Sequence, residues 1–211
     1  MTKSRNEIPR ATVTRLAFYL RELQQMHRAE VANVRSQSIA EKLGLKDSQV
    51  RKDLSCLGTV GQRGVGYRVD ELIHNIQHVL GTDRAWNVIL VGVGNLGRAL
   101  TGYKGFGEQG FRLVGVFDSD PKKIGQKVGG LLIQDLGSLP SFASEQAVDL
   151  AILAVPATAA QSVLAAIEEA NISGVLNFAP VAVRPSQAGR TIVQEVDLAI
   201  ELQRLAFSVV R

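Results

Sequence analysis

Residues 87–97 read Asn87-Val88-Ile89-Leu90-Val91-Gly92-Val93-Gly94-Asn95-Leu96-Gly97. An apolar, β-forming run leads straight into Gly-x-Gly-x-x-Gly, the spacing of a strand–turn–helix dinucleotide loop. Each glycine has its own physical reason. Gly92 permits the tight turn, Gly94 lets a pyrophosphate approach the backbone, and Gly97 lets helix and strand pack closely. The N-terminus of the helix that follows faces the phosphates. A second strand is predicted over 111–117 and ends at Asp118, 21 residues after Gly97. A ribose-binding acid is expected roughly 20 residues on. It would bond the adenosine ribose hydroxyls and repel a 2′-phosphate, which favours NAD(H) over NADP(H). Further strands are predicted at 131–133, 149–155, 174–178 and 191–195, with helices at 95–103 and 157–170. Strands alternating with helices argue for a parallel sheet in an α/β fold. Related folds hold coenzyme A or sugar nucleotides, so the site is better defined than its ligand.

About eighty residues precede this fingerprint, and they read as a DNA-binding head. Pro9 stands at a helix start. After it Val13, Leu16, Ala17, Leu20 and Leu23 recur at helical spacing to about His27. A second helix is predicted over 36–43, with Ser38 and Glu41 at capping-box spacing and Ser36 as an earlier cap. Gly44 ends it. A third helix is predicted over 47–57, and two short helices joined at a glycine turn form a helix-turn-helix pattern. On the third helix Val50, Leu54 and Leu57 make one apolar stripe. Ser48, Arg51, Lys52 and Ser55 point away from it, with Gln49 and Cys56 on a flank. That face suits a major groove, where Arg pairs with guanine edges and Lys and Ser reach bases or phosphates. The plainer alternative is a solvated surface helix. The glycine-rich stretch 58–69 then reads as a hairpin, or wing, with Arg63 near its tip for a minor groove or phosphate. A helix over 70–80 closes the head. His74 and His78 sit i, i+4 on it, but no third metal ligand lies near them.

Charge divides the same way. Residues 1–84 hold 14 Lys/Arg and 9 Asp/Glu, net +5; residues 85–211 hold 10 and 11, net −1. A basic head implies a polyanionic partner. The 45% hydrophobic content supports a packed core. No apolar run approaches the roughly 20 residues of a membrane span, and no signal core follows the first residues. The single Cys56 excludes an intrachain disulfide. These features set the expectation of a cytoplasmic protein without a membrane partner. The expected division is a winged-helix domain at 1–80, a Rossmann-like domain at 85–195 and a C-terminal helix at 196–211.

Catalytic equipment is thin, and the expectation is a protein that is not an enzyme. All three histidines (27, 74, 78) precede the fingerprint. Tyr103 and Lys104 are adjacent rather than spaced along one helix face. A competing reading is a small NAD-dependent dehydrogenase with a helical N-terminal extension. In the last segment Leu198, Leu202, Leu205 and Val209 form an apolar stripe widened by Ile200, Ala206 and Phe207. That helix needs its own sheet or a second subunit to cover it. Asp197 is its expected N-cap.

Taken together, the chain resembles the Rex family of redox-sensing transcriptional repressors. The resemblance rests on Gln49-Val50-Arg51-Lys52-Asp53-Leu54-Ser55, Arg63-Gly64-Val65-Gly66-Tyr67, Gly92–Gly97, Tyr103-Lys104-Gly105-Phe106-Gly107 and Leu176-Asn177-Phe178-Ala179-Pro180. It implies a homodimer that exchanges its C-terminal helix. It implies operator DNA of two-fold symmetry near genes of fermentation and respiration. It also implies NAD(H) as a regulatory ligand, with NADH releasing DNA and NAD⁺ permitting binding. By position, Gly92, Val93, Gly94, Asn95, Leu96, Gly97 and Asp118 would hold the dinucleotide. Tyr103, Val155, Pro156, Asn177 and Phe178 would lie near its nicotinamide. Ser48, Gln49, Arg51, Lys52, Ser55 and Arg63 would face DNA. Asp197 is a candidate sensor of the nicotinamide charge as well as a cap.

Overall fold

Two left-handed glycines punctuate the head: Gly44 at φ 64° ends one helix and Gly81 at φ 74° ends another. The computed structural model describes residues 8–58, 61–62, 64–187 and 189–210. It divides into two compact units, 1–84 and 85–211.

In the first unit, helix α1 (Arg10–Arg28) follows Pro9. Its buried face is Thr12, Leu16, Tyr19, Leu20, Leu23 and Met26. The expected stripe is therefore rotated, and Val13 and Ala17 stay exposed. The reason is polar: Thr12 and Tyr19 turn inward to reach a buried carboxylate described below. Strand β1 (Asn33–Val34) precedes α2 (Ser36–Leu43) and α3 (Asp47–Ser55). The predicted capping box does not form, because Ser38 lies inside α2 rather than at its end. The cap position is Arg35, with no side-chain bond, and Glu41 instead accepts from Gln37 Nε2 at 2.9 Å. Val50, Leu54 and Leu57 are buried as their spacing predicts. In the wing, Gln62 bridges Gly66, and strand β2 (Tyr67–Arg68) pairs antiparallel with β1. Arg63, placed at the wing tip above, lies outside the described residues. Helix α4 (Val69–Leu80) completes the unit.

The second unit is built on seven strands: β3 (Trp86–Val91), β4 (Phe111–Asp118), β5 (Lys127–Val128), β6 (Leu131–Asp135), β7 (Leu150–Leu153), β8 (Gly174–Asn177) and β9 (Ile192–Glu195). Their order is β5-β6-β4-β3-β7-β8-β9, and every pair is parallel except β5/β6. Helices α5 (Asn95–Thr101), α6 (Gly105–Glu108), α7 (Leu139–Glu145) and α8 (Ala157–Glu169) connect them. The helix predicted to reach residue 103 breaks at Gly102. On one sheet face Ile89, Val91, Phe117 and Leu153 pack with Leu139 of α7 and Leu164 and Ile167 of α8. On the other, Val88, Leu90, Val116, Ile133 and Ile152 form a thinner cluster. The chain runs outward from β3 to β4 on one side and returns to β7 on the other. That is the topological switch point where open α/β sheets bind ligands. The last helix, α9 (Leu198–Val209), is capped by Asp197, whose Oδ1 accepts from the amides of Ala199 at 2.8 Å and Ile200 at 3.2 Å. No described helix is long and apolar enough to cross a membrane.

Candidate functional sites

On α3, Ser48, Arg51, Lys52 and Ser55 are exposed, as the wheel predicts. Arg51 is steadied by Asp47 one turn back at 2.9 Å. Asp53, which reads in sequence as part of a solvated charge run, is 2% exposed. Its Oδ2 accepts from Arg15 Nε at 2.6 Å and from the Tyr19 hydroxyl at 2.8 Å. Its Oδ1 accepts from Arg15 at 2.8 Å, Gln49 Nε2 at 3.1 Å and the Thr12 hydroxyl at 3.2 Å. Burial pushes this carboxyl up, but the bonds from Arg15, Tyr19 and Gln49 outweigh it and hold it below the usual range. Loss of water, then the Asp53 bond, raises the Tyr19 hydroxyl above its ordinary value. Gln49 is thus tied inward at its amide nitrogen, and the other four residues of this face stay exposed. Cys56 is buried, its Sγ 3.6 Å from the Lys52 carbonyl.

In the second unit a cleft of about 340 Å³ lies at the switch point, bringing together Gly92, Gly94, Asp118, Val155 and Pro156. Asn95, Leu96 and Gly97 belong to the turn and helix beside it. The glycines do different things here. Gly92 has φ +99°, and a Cβ on it would strike the Ala154 carbonyl. A Cβ on Gly97 would strike the Gly92 carbonyl. A Cβ on Gly94 would meet nothing within 4 Å. The space above Gly94 is therefore open in the protein itself, which fits a loop whose glycine makes room for a ligand. Gly97→Ala is accordingly expected to cost the second unit about 2 kcal/mol by overpacking, whereas Gly94→Ala leaves the melting temperature unchanged and weakens nucleotide binding. Calorimetric melts beside binding titrations of the two variants check this, and equal melting temperatures would refute it.

Asp118 ends β4 with 7% exposure. Its Oδ2 accepts from the Val93 amide at 2.8 Å and from Lys123 Nζ at 2.9 Å, and its Oδ1 from the Asp120 amide at 2.9 Å. Burial pushes the carboxyl up, and these three donors bring it below its ordinary value. It stays ionised and able to accept from ribose hydroxyls. Val93 itself is buried and serves through its backbone.

The residues assigned to the nicotinamide end are dispersed. Tyr103 is 60% exposed, its ring edge-on to Phe106 at 5.0 Å, beside a second cleft formed with Phe106 and Leu113. Asn177 is fully buried: Nδ2 donates to the Val181 carbonyl and to Glu195, and Oδ1 accepts from the Ala179 amide. Its side chain clips the loop after β8 to β9. Phe178 packs on the thinner face of the sheet. Lys123 and Asp120, both lining the cleft, were missed in the sequence, where Asp120-Pro121-Lys122-Lys123 reads as a solvated turn. The signal was the turn itself, which folds back onto Asp118.

The fold and the cleft define a class: a winged-helix head joined to a Rossmann-type nucleotide-binding domain. Comparisons agree with both halves. Residues 7–55 match the family model "Putative DNA-binding protein N-terminus", and 83–181 match the "CoA binding domain" model. The redox-sensing transcriptional repressor Rex of Thermosipho africanus is 40% identical, covering 97% of each chain. Rex of Carboxydothermus hydrogenoformans is 42% identical over 97% of this chain and 98% of that one. A crystal structure of RSP, a Rex-family repressor, in complex with β-NAD⁺ and operator DNA superposes with TM-score 0.87 at 32% identity, covering 96% of this chain and 92% of the other. RSP in complex with β-NADH matches with TM-score 0.84 at 30% identity, over 98% and 95%. The chain belongs to the Rex family of redox-sensing transcriptional repressors.

Proposed function

We propose that this chain binds operator DNA through its head as a homodimer and is released from it by NADH, so that transcription follows the NADH/NAD⁺ balance. The observation that carries the reading is a relative that matches both units while in complex with β-NAD⁺ and operator DNA. The dinucleotide is then a signal rather than a reagent. A dehydrogenase reading has less behind it, because the near-full-length relatives bear the name of repressors.

Arg51 and Lys52 supply the cationic contacts to DNA, with Ser48 and Ser55 beside them; Arg63 is assigned the minor groove or phosphate. The glycine loop and Asp118 hold the adenosine half of the dinucleotide, and Tyr103, Val155 and Pro156 approach its nicotinamide half. The two redox forms differ by a hydride and one positive charge. A ligand shifts a two-state equilibrium only by its differential affinity for the two states. Turning 1:99 into 99:1 takes roughly 5.5 kcal/mol. An apolar nicotinamide site tolerates the neutral ring and penalises the charged one. Asp197, the cap of α9, is a candidate sensor of the nicotinamide charge.

Fluorescence anisotropy with a two-fold symmetric operator duplex tests the reading directly. NADH is expected to raise the apparent Kd while NAD⁺ and coenzyme A leave the complex intact. The Arg51→Ala, Lys52→Ala double variant removes four cations from a two-headed complex, and is expected to bind weakly and to flatten the salt dependence by about three to four units of log–log slope. Operator affinity that ignores NADH, or that survives the double substitution, would sink the proposal.

A further inference from the structure

The ribose-binding acid does not stand alone in its cleft. A carboxylate offers about four lone-pair sites. On Asp118 three are taken, by the amides of Val93 and Asp120 and by Lys123 Nζ. One site remains, on Oδ1. A ribose diol brings two hydroxyls, so Asp118 can accept from only one of them as the cleft is built. Beside Asp118 the Lys123 ammonium lines the same cleft and keeps donor capacity after its bond to that carboxylate, so it is a donor within the cleft for the other hydroxyl. A hydroxyl oxygen accepts from such a donor without strain.

We propose that Lys123 is a specificity residue of this cleft: it donates to the second ribose hydroxyl, and its positive charge softens the rejection of a 2′-phosphorylated dinucleotide that Asp118 alone would impose. The inference rests on the dinucleotide reading of the cleft. The charge argument follows from the geometry. A lone buried Asp118 would present an uncompensated negative charge to a 2′-phosphate. With Lys123 Nζ 2.9 Å from Oδ2, the pair is neutral overall and offers the phosphate a cation. Asp120 also lines the cleft and adds a negative charge there, its Oδ1 accepting from the Lys122 amide, so Lys123 is the cation that offsets the two acids. Lys123 therefore sets how strongly the regulator ignores the phosphorylated dinucleotide pool, which is a matter of which metabolic signal it reads.

The test is calorimetric titration of the full chain with NADH and with NADPH, for the wild type, Lys123→Met and Lys123→Arg. Lys123→Met is expected to raise the ratio of the NADPH to the NADH dissociation constant about tenfold, the size of one lost hydrogen bond between charged groups. Lys123→Arg is expected to restore the ratio toward wild type. A lysine that only braced Asp118 would weaken both ligands by the same factor, and that outcome overturns the inference. So does a ratio that falls in Lys123→Met. A wild-type chain that binds no NADH at all would overturn the dinucleotide reading along with it, so the two failures are told apart by the wild-type titration.

Discussion

Asp53→Ala is expected to unfold the DNA-binding head at ordinary temperature, or to lower its stability by at least roughly 3 kcal/mol. The size comes from what is left behind. Arg15, Tyr19, Thr12 and Gln49 all donate to this one carboxylate, which is 2% exposed. Removing it leaves the buried Tyr19 phenol without this acceptor and the half-buried Arg15 guanidinium with only the Thr12 hydroxyl among these partners, and an uncompensated buried partner costs more than the bond contributed. Asp53→Asn keeps the shape and one acceptor oxygen, so its loss should be smaller. The sign with pH follows from the same contacts. The folded carboxyl lies below the ordinary value of 3.8. Its stabilisation is therefore complete above that value and fades as pH falls through it toward the lower folded value. Acid should melt the head before neutral or mildly alkaline conditions do. Circular dichroism melts between pH 2.5 and 7 on wild type and Asp53→Asn check both statements. A variant whose stability falls as steeply with acid as the wild type would count against this role for Asp53.

Asp53 also marks how far the sequence could be read. The parallel sheet, the glycine turn, the acid at the end of β4 and the recognition helix were legible, because periodicity and glycine placement act locally. Asp53 was not. In sequence it sits beside Arg51 and Lys52, and only the bonds from Thr12, Arg15 and Tyr19 of α1 hold it inward. The same bonds go with the rotation of the buried stripe of α1 from Val13 and Ala17 to Thr12 and Tyr19. Strand β1 is too short to carry a period, and its partners in β2 lie far along the chain, Arg68 opposite Asn33 and Tyr67 opposite Val34. Lys123 was hidden for a like reason. A Pro-Lys-Lys turn looks solvated until the chain after β4 folds back and sets the ammonium on Asp118. What local pattern fixes is the frame; what it misses are polar contacts between distant segments, which here surround the functional side chains.

Breaking the apolar stripe of α9 should convert the protein to monomers. Leu198, Leu202, Leu205, Phe207 and Val209 are between 59% and 85% exposed in the single chain. A 12-residue helix is marginal in water by itself, and an apolar surface of this kind marks an interaction site. The same unit leaves an apolar groove of about 480 Å³ on the thinner face of its sheet, formed by Trp86, Val88, Phe106, Leu150 and Leu176 among others. An exposed apolar helix and an apolar groove on the same chain are the two halves that a closed two-fold exchange would bring together, each copy supplying the helix for the other's groove. Leu202→Glu with Leu205→Glu puts two charges into that contact, and burying an unpaired carboxylate is prohibitive. Sedimentation velocity is then expected to show a monomer for the variant and, on the proposed reading, a dimer for the wild type. Operator affinity should fall by about 10²-fold or more, because two heads bound to one symmetric site gain from each other and single heads do not. Binding to a lone half-site should change far less, since α3 and its contacts are untouched. A double variant that remains dimeric would mean that the stripe is covered in some other way, and the exchange would have to be abandoned.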